Sequence, residues 1–289
     1  MSESRSHNRI YIITVIYNRC LQDIRSLPEF RALMKKHPEV RLIVTDNSTD
    51  ERILKLNREA ASRSTWVRYL ECGGNIGLSR AYNRALATIP QKESFWVMLS
   101  DDDTKFSMEY LENGCRQIRR EEEKKQRNPL RILCGVVRTQ NGWMSPRSEH
   151  TREFAFSSML KPPKPGIYRD LYPVNSGLFL DGSAIRLVGG YDERLFLDQV
   201  DFLMMDRLRA VGIRNVGVLP GEIEQDFSGE HGTGRKERNH VQSSKERWKI
   251  FRKDFSIYCD LTQKPWLYRT YILGRRRLML GLQQMLRRE

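Results

Sequence analysis

Three carboxylates stand side by side at Asp101, Asp102 and Asp103, directly after the apolar run FWVMLS. Adjacent carboxylates repel one another unless something positive lies among them. A divalent cation holding a phosphate meets that need, because hard cations take oxygen ligands. A solvated turn is the plainer account, since Asp is common in turns and caps. A second acidic pair, Asp198 and Asp201, lies three residues apart in LFLDQVDF. On a helix that spacing lets both face one side. They can cap the helix and oppose its dipole, or one of them can take a proton from a weak nucleophile such as a sugar hydroxyl. His231, in SGEHGTG, says little by itself. Beside a metal already held by Asp103, its imidazole could complete the coordination.

The elements around these residues bring them together. Residues 95–100 read as a buried strand that delivers the Asp cluster at its end. Residues 10–17 are a β-branched and aromatic run of the same kind, ending at Asn18. Residues 41–45 form a second strand ending at Asp46, and residues 66–70 a third ending in GGNIG, with Asn75 and Gly77. Segments of helical period cover 21–36, where Pro28 can delay or kink the start, then 53–61, 78–89 and 107–123. Strict alternation of strands and helices predicts an α/β fold with a mostly parallel, Rossmann-like sheet flanked by helices. Right-handed crossovers set the strand-end loops on one edge, where ligands bind in such sheets. The Asp cluster then shares a cleft with Asn18, Asp46 and Asn75. A carboxylate at 46 can accept a hydrogen bond from a uracil or thymine N–H or from a ribose hydroxyl. Glycines at 73, 74 and 77 let the backbone approach a nucleotide. The patterns GxxxxGK[ST] and GxGxxG are absent, so metal and carboxylates must handle any diphosphate.

Further along, a strand over 132–137 is followed by Asn141-Gly142 as a hairpin turn, and residues 149–169, containing KPPKPG, read as a surface loop. A strand over 174–180, a short helix over 183–188, a helix over 196–210 stopped by Gly212, and a strand over 215–219 come next. Residues 227–235 are a Gly- and His-containing loop. The end of the chain changes character. Trp248, Phe251, Phe255 and Tyr258 repeat at helical spacing, as do Ile272, Leu278, Leu282 and Met285, the latter set among Arg275, Arg276, Arg277, Arg287 and Arg288. Basic amphipathic helices of this kind either lie on an anionic membrane surface or pack their stripes on the core.

The 289 residues carry a net charge of +14, with 39% hydrophobic and 30% charged residues. That balance fits a globular protein attracted to polyanions, whether nucleic acid or an anionic membrane. No apolar stretch approaches the roughly 20 residues needed to cross a bilayer, and no signal peptide is visible, so a cytoplasmic location is expected. The five cysteines are scattered, odd in number and without zinc-ligand spacing. Reduced, structural thiols are expected. Asn47-Ser48-Thr49 matches a glycosylation sequon but carries no weight without secretion.

Taken in order, TVIYN, TDNSTD, GGNIGLSRAYN, LSDDDT, SGLFL, GGYDERLFLDQVDFLMMDRLRAVG and EHGTG resemble family 2 glycosyltransferases of the GT-A fold. Within that family the chain is most similar to bacterial rhamnosyltransferases and galactofuranosyltransferases that build surface polysaccharides. The resemblance spans about residues 10–235. It implies a catalytic, nucleotide-sugar-binding domain over 1–235; the basic amphipathic helical region over 236–289, read from its own pattern, matches the family only loosely. It also implies that Thr14 and Asn18 line the nucleotide pocket, with Gly77 and Asp102 among the nucleotide-sugar residues. Asp46 would contact base or ribose with Asn75 beside it, and Asp101 would contact the ribose. Asp103, with His231, would hold Mn²⁺ or Mg²⁺ on the diphosphate. Asp201 would be the catalytic base, supported by Asp198. One departure is Phe202-Leu203 after the base, where the family often has an acidic residue; it bears on acceptor contacts. The implied activity is inverting transfer from dTDP-rhamnose, UDP-galactofuranose or a UDP-hexose to a glycan acceptor on a lipid carrier. Peripheral contact of the basic C-terminus with the inner face of the plasma membrane would go with it, and no nucleic acid. From other classes, a non-catalytic basic protein would bind nucleic acid or anionic lipid and use its Asp residues as caps. A nucleotidyltransferase would also hold a metal on Asp, but fits the Asp198/Asp201 pair less well.

Overall fold

β-branched residues suit a pleated, buried surface, and the run IYIITVI becomes β1 (Arg9–Ile16), lying between two parallel neighbours. The computed structural model describes residues 9–123, 129–140, 142–148, 161–225 and 245–285. Strands β2 (Val40–Asp46), β3 (Val67–Glu71) and β4 (Phe95–Asp101) complete a parallel half in the order β3-β2-β1-β4. Helices α1 (Leu27–Lys36), α2 (Glu51–Ser62), α3 (Leu78–Leu86) and α4 (Met108–Glu123) alternate with these strands. A 3₁₀ turn at Leu21–Asp23 precedes α1, and Pro28 occupies the first turn of that helix. There its missing N–H would have had no helical partner anyway.

Beyond β4 the sheet is mixed. β5 (Thr104–Phe106), β6 (Ile132–Thr139), β7 (Gly142–Ser145), β9 (Gly166–Arg169), β11 (Phe179–Asp181) and β12 (Asn215–Gln225) belong to it, while β8 (Arg147–Ser148) and β10 (Leu171–Tyr172) form a separate pair. β11 inserts antiparallel between β4 and β6. β12 runs parallel to β6 and antiparallel to β5 and β9. The strand expected over 174–180 is confined to β11, because Asn175 to Leu178 turn against β4: the Leu178 N–H donates to Asn175 O and the Gly177 N–H to Leu99 O. Conversely, β12 outruns the expected 215–219. A register shift between Val218 and Glu222 absorbs Pro220-Gly221, and a bulge is where a sheet tolerates such residues.

Alternation along β1 splits the core between the two faces. Tyr11 and Ile13 join Val97, Leu99, α3 residues such as Tyr82, α5 (Gly182–Leu187) and α6 (Val200–Ala210). Ile10, Ile12 and Ile16 join Trp96, Met98, α1 residues such as Phe30, and Tyr110, Leu111 and Ile118 of α4. α6 starts at Val200, later than the expected Phe196, because Gln199 adopts a left-handed φ of 64° and residues 196–199 form an irregular approach.

The first C-terminal helix, α7 (Lys245–Leu261), buries Phe251, Phe255, Tyr258 and Cys259 in the same core as α6. Burying each large apolar side chain is worth about 1.5–3 kcal/mol, so packing decides the position of this helix. The last helix, α8 (Trp266–Met285), sets Tyr268, Ile272 and Leu273 against the core and leaves Trp266 (71%), Leu267, Tyr271 and Leu278 (65%) exposed. No helix among the described residues is long and apolar enough to cross a membrane. All five cysteines are free, four of them buried. Burial alone pushes the Cys134 thiol up to about 12, so it stays an inert thiol.

Candidate active site

Strand register carries the acidic residues to one edge. Ile16 of β1 pairs with Asp46, and Val15 with Asp101. At about 4.8 Å per strand, the two backbones stand roughly 10 Å apart across β1, both at the carboxyl ends of parallel strands. A cavity of about 550 Å³ lies at the opposite edge, lined by Arg9, Arg41, Trp66 and Glu93, away from the carboxylates.

The three aspartates have separate surroundings. Asp101 accepts hydrogen bonds on Oδ2 from the Ser176 hydroxyl and from Gln225 Nε2, the latter at 2.9 Å. Loss of hydration raises its carboxyl above the ordinary range, against the pull of those two donors. Asp102 turns aside and pairs with Arg19 at 3.2 Å, while its backbone oxygen accepts from the Arg25 N–H. It thereby ties the cluster to the segment after β1. Asp103 is buried, with Gln225 Nε2 at 3.4 Å from Oδ1.

On the β2 side, Asp46 is 0% exposed. Its carboxylate accepts from the Ser48 N–H at 2.8 Å, and from Asn57 Nδ2 and the Tyr69 hydroxyl at 2.7 Å each. Burial and the Asp46 contact together raise the Tyr69 phenol above its usual value. Asn18, at a left-handed φ of 48°, which Asn tolerates, accepts from the Thr49 and Asp50 N–H groups and so shapes the same loop. Thr14 is wholly buried inside β1. Asn75 is exposed and accepts from the Gly77 N–H at 3.1 Å. Gly77 has φ 88°, and a Cβ there would lie 2.7 Å from the Phe196 ring and 2.8 Å from its carbonyl oxygen. Only glycine permits that approach, and the Leu78 N–H donates to Phe196 O across it.

The Gly77 loop therefore abuts the approach to α6. Asp201 sits in the first turn of α6, within the field of two buried tyrosines, Tyr82 and Tyr191, whose rings are 4.9 Å apart. Burial raises the Tyr82 phenol well above the ordinary range, and the charges of Asp101 and Asp201 add to the effect. Tyr82 thus feels the charge of both acidic groups that the sequence singled out. Asp198 precedes the helix and forms a two-point ion pair with Arg247 of α7, one contact at 2.8 Å. The approach itself is held by Asp254 of α7. That carboxylate, 0% exposed, accepts from the backbone N–H groups of Phe196, Leu197 and Asp198 at 3.1, 2.7 and 2.8 Å. Tyr258 adds a hydroxyl bond to Asp206 at 2.6 Å, fastening α7 to α6.

Sequence reasoning missed Asp254, Gln225, Ser176 and Tyr82. For Asp254 a signal existed: with Phe251, Phe255 and Tyr258 it occupies the buried stripe of an amphipathic helix. A carboxylate on such a stripe needs donors. His231 lies outside the described residues, as do Asn141, Arg287, Arg288, residues 149–160 of the 149–169 loop and the whole 227–235 loop.

Among the described residues no group of three or more His, Cys, Asp or Glu side chains could hold a metal. Asp101 and Asp103 nevertheless suit a hard cation. One amide group reaches both carboxylates, and the other atom of that amide, Gln225 Oε1, is buried without a hydrogen-bond partner.

The glycosyl transferase family 2 profile matches residues 11–169, which includes Asp46 and the Asp cluster and stops short of Asp201 and His231. No curated protein sequence matches the chain. Its fold is similar to that of GalNAc-T7 solved with UDP, GalNAc and Mn²⁺, at 11% identity and TM-score 0.55, over 86% of this chain and 50% of that one. It is also similar to residues 1–349 of TarS from S. aureus, at 15% identity and TM-score 0.53, over 87% of this chain and 73% of that one. A third likeness is the mannosyltransferase PcManGT from Pyrobaculum calidifontis with GDP-Man and Mn²⁺, at 12% identity and TM-score 0.53, over 89% of this chain and 65% of that one. The chain thus spans half the length of the first of these. At such identities the likeness is one of fold, the mixed α/β fold of GT-A glycosyltransferases.

Proposed function

Because the chain belongs to glycosyl transferase family 2, we propose that it moves a sugar from a nucleoside-diphosphate donor to a hydroxyl of a glycan acceptor, inverting the anomeric centre. The observation that supports this reading is that the charges of Asp101 and Asp201 both act on one buried tyrosine, Tyr82. Donor leaving group and acceptor proton then have carboxylates within one neighbourhood.

Asp201, in the first turn of α6, takes the acceptor hydroxyl's proton, a role worth about 10²–10⁴-fold in rate. Asp198, paired with Arg247, and Asp254 hold the backbone that leads into that turn. The hydroxyl oxygen attacks the anomeric carbon opposite the departing diphosphate, and a single displacement inverts the configuration. Asp103 and, in place of the ribose contact expected for it, Asp101 would hold Mn²⁺ or Mg²⁺, with His231 as a further ligand; the bound cation would neutralise the leaving diphosphate. Asp46, Asn18 and Asn75 shape the loops on the base side, where Thr14 and Gly77 let strand and backbone close on the nucleotide. Asp102 serves the donor through its clip to Arg19.

UDP and GDP-Man in the GalNAc-T7 and PcManGT structures support a nucleotide-sugar donor, with dTDP-rhamnose, UDP-galactofuranose and UDP-hexoses as candidates. The acceptor is a lipid-linked glycan of a bacterial surface polysaccharide. The outward face of α8 supports contact with the membrane that carries it: Leu267, Tyr271 and Leu278 are exposed beside Arg275 and Arg277. A purely polyanion-binding protein fits less well, since carboxylates at successive strand ends repel phosphate.

The test is thermal shift with UDP, dTDP and GDP, each with and without Mn²⁺, followed by a panel of nucleotide sugars assayed for hydrolysis. At a hundredfold excess over Kd a nucleotide should add about 2.7 kcal/mol, and only with the cation present. Stabilisation by none of the three in Mn²⁺ would sink the reading.

A further inference from the structure

We propose that Gln225 is a further residue of the cation site, and that its side-chain amide turns over when the cation arrives. This rests on the reading that Asp101 and Asp103 hold a divalent cation. Gln225 ends β12, and its backbone pairs with Thr104, the residue after Asp103. Register alone therefore delivers its side chain to the carboxylates. The residue is 8% exposed. Its Nε2 lies 2.9 Å from Asp101 Oδ2 and 3.4 Å from Asp103 Oδ1. One amide NH₂ thus stands between two carboxylates and sets partial positive charge against both.

That orientation leaves a debt on the other side of the amide. Gln225 Oε1 is buried and has no hydrogen-bond partner, an arrangement proteins generally avoid. The reverse orientation would set the Oε1 lone pairs against two carboxylates that now accept from Nε2, and is the less favourable of the two in the metal-free state. A divalent cation among the carboxylates reverses the preference. The NH₂ group would then face positive charge, whereas the carbonyl oxygen is a hard ligand of the kind Mg²⁺ and Mn²⁺ accept. Rotation of the terminal amide exchanges the two atoms in place. The backbone stays in its ladder with β5, so the change is confined to one torsion. In the absence of metal, Gln225 keeps the two carboxylates together; in its presence it becomes a ligand.

Mn²⁺ affinity of the full chain, measured by calorimetry without any donor sugar, tests the proposal. Gln225→Met is close in shape and carries no oxygen; it should weaken Mn²⁺ binding at least tenfold, and the metal-free protein should melt lower than the wild type because the two carboxylates lose their shared donor. Gln225→Glu should bind Mn²⁺ more tightly than the wild type. In wild-type protein, Mg²⁺ should shift the side-chain NH₂ resonances of Gln225. Wild-type affinity in Gln225→Met, with binding abolished in Asp103→Asn, overturns the role of Gln225 alone. Failure of the wild type to bind Mn²⁺, or wild-type affinity in Asp103→Asn, overturns the cation site itself and this proposal with it.

Discussion

Asp254 Oδ2 accepts the backbone N–H of Asp198 at 2.8 Å, so a helix near the end of the chain fixes the peptide three residues before Asp201. The same carboxylate takes the Phe196 and Leu197 N–H groups. Removing it leaves those partly buried donors unmatched, at about 1 kcal/mol each, the low end of the range for such groups. Asp254→Leu should therefore lose about 3 kcal/mol in urea unfolding. Asp254→Asn, which keeps an acceptor oxygen, should lose less and lower kcat by about 10–100-fold, as expected when a reacting group is misplaced by about 1 Å. Donor KM should stay near wild type. A stability loss with kcat unchanged would make Asp254 a strut with no bearing on the site.

Asp201→Asn should cut transfer by roughly 10²–10⁴-fold while nucleotide binding, followed by calorimetry, stays at wild-type strength. Substantial activity in this variant would remove Asp201 from the base role.

Gly77→Ala introduces a methyl 2.7 Å from the Phe196 ring at a left-handed φ. Conformational strain and overpacking together should cost roughly 2–4 kcal/mol. Because Phe196 is one of the residues held by Asp254, activity should fall along with the melting temperature. A double substitution with Asp254→Asn should be non-additive, and strict additivity would separate the two.

The Asp101 carboxyl titrates above its ordinary range because it is poorly hydrated. The folded chain then binds this proton more tightly than the unfolded chain. Stability from this group is present at low pH and is lost as pH rises from about 3.9 through the raised value. Asp101→Asn cannot ionise, so above that window the metal-free variant should melt higher than the wild type. It should also lose nucleotide stabilisation by Mn²⁺. In the wild type, Mn²⁺ affinity should fall as pH is lowered through the raised value, at higher pH than for an ordinary carboxylate. A metal-free melting temperature below wild type at neutral pH would contradict this.

On α8, replacing Arg275 and Arg277 by Gln should weaken binding to phosphatidylglycerol vesicles about 30-fold, at roughly 1 kcal/mol per basic residue. Tyr271→Ser with Leu278→Ser should do so in a salt-independent way. Phosphatidylcholine vesicles should bind weakly throughout. If sedimentation with anionic vesicles is unaffected by either pair, the exposed face has another use.

The parallel half of the sheet was legible in the sequence because each strand is an apolar run and each run ends in a polar loop. IYIITVI and FWVML can hardly lie elsewhere than between covered neighbours. The Asp cluster was legible for the same reason: strand ends converge. The mixed half was not. The insertion of β11 between β4 and β6 depends on pairings that no local pattern encodes, and β12 runs through a Pro-Gly step that reads as a turn. The start of α6 was misplaced because Gln199, a residue with no special liking for φ above zero, is held there by its surroundings. Gln225 and Asp254 act through partners about 60 to 120 residues away in sequence. Of these only Asp254 left a trace, as a charge on an apolar stripe.

Asp254 follows the peptides it holds by 56 to 58 residues. At roughly 5–20 residues per second of translation, the ribosome reaches Asp254 on the order of 3–12 s after the loop it secures. Until then the strand-end carboxylates can be in place while the segment leading to Asp201 lacks its bonds to α7 and is tied at Phe196 O by the Leu78 N–H. The parts of this fold are thus made in one order and secured in another, the approach to α6 gaining its three bonds to α7 only after that helix has emerged and docked.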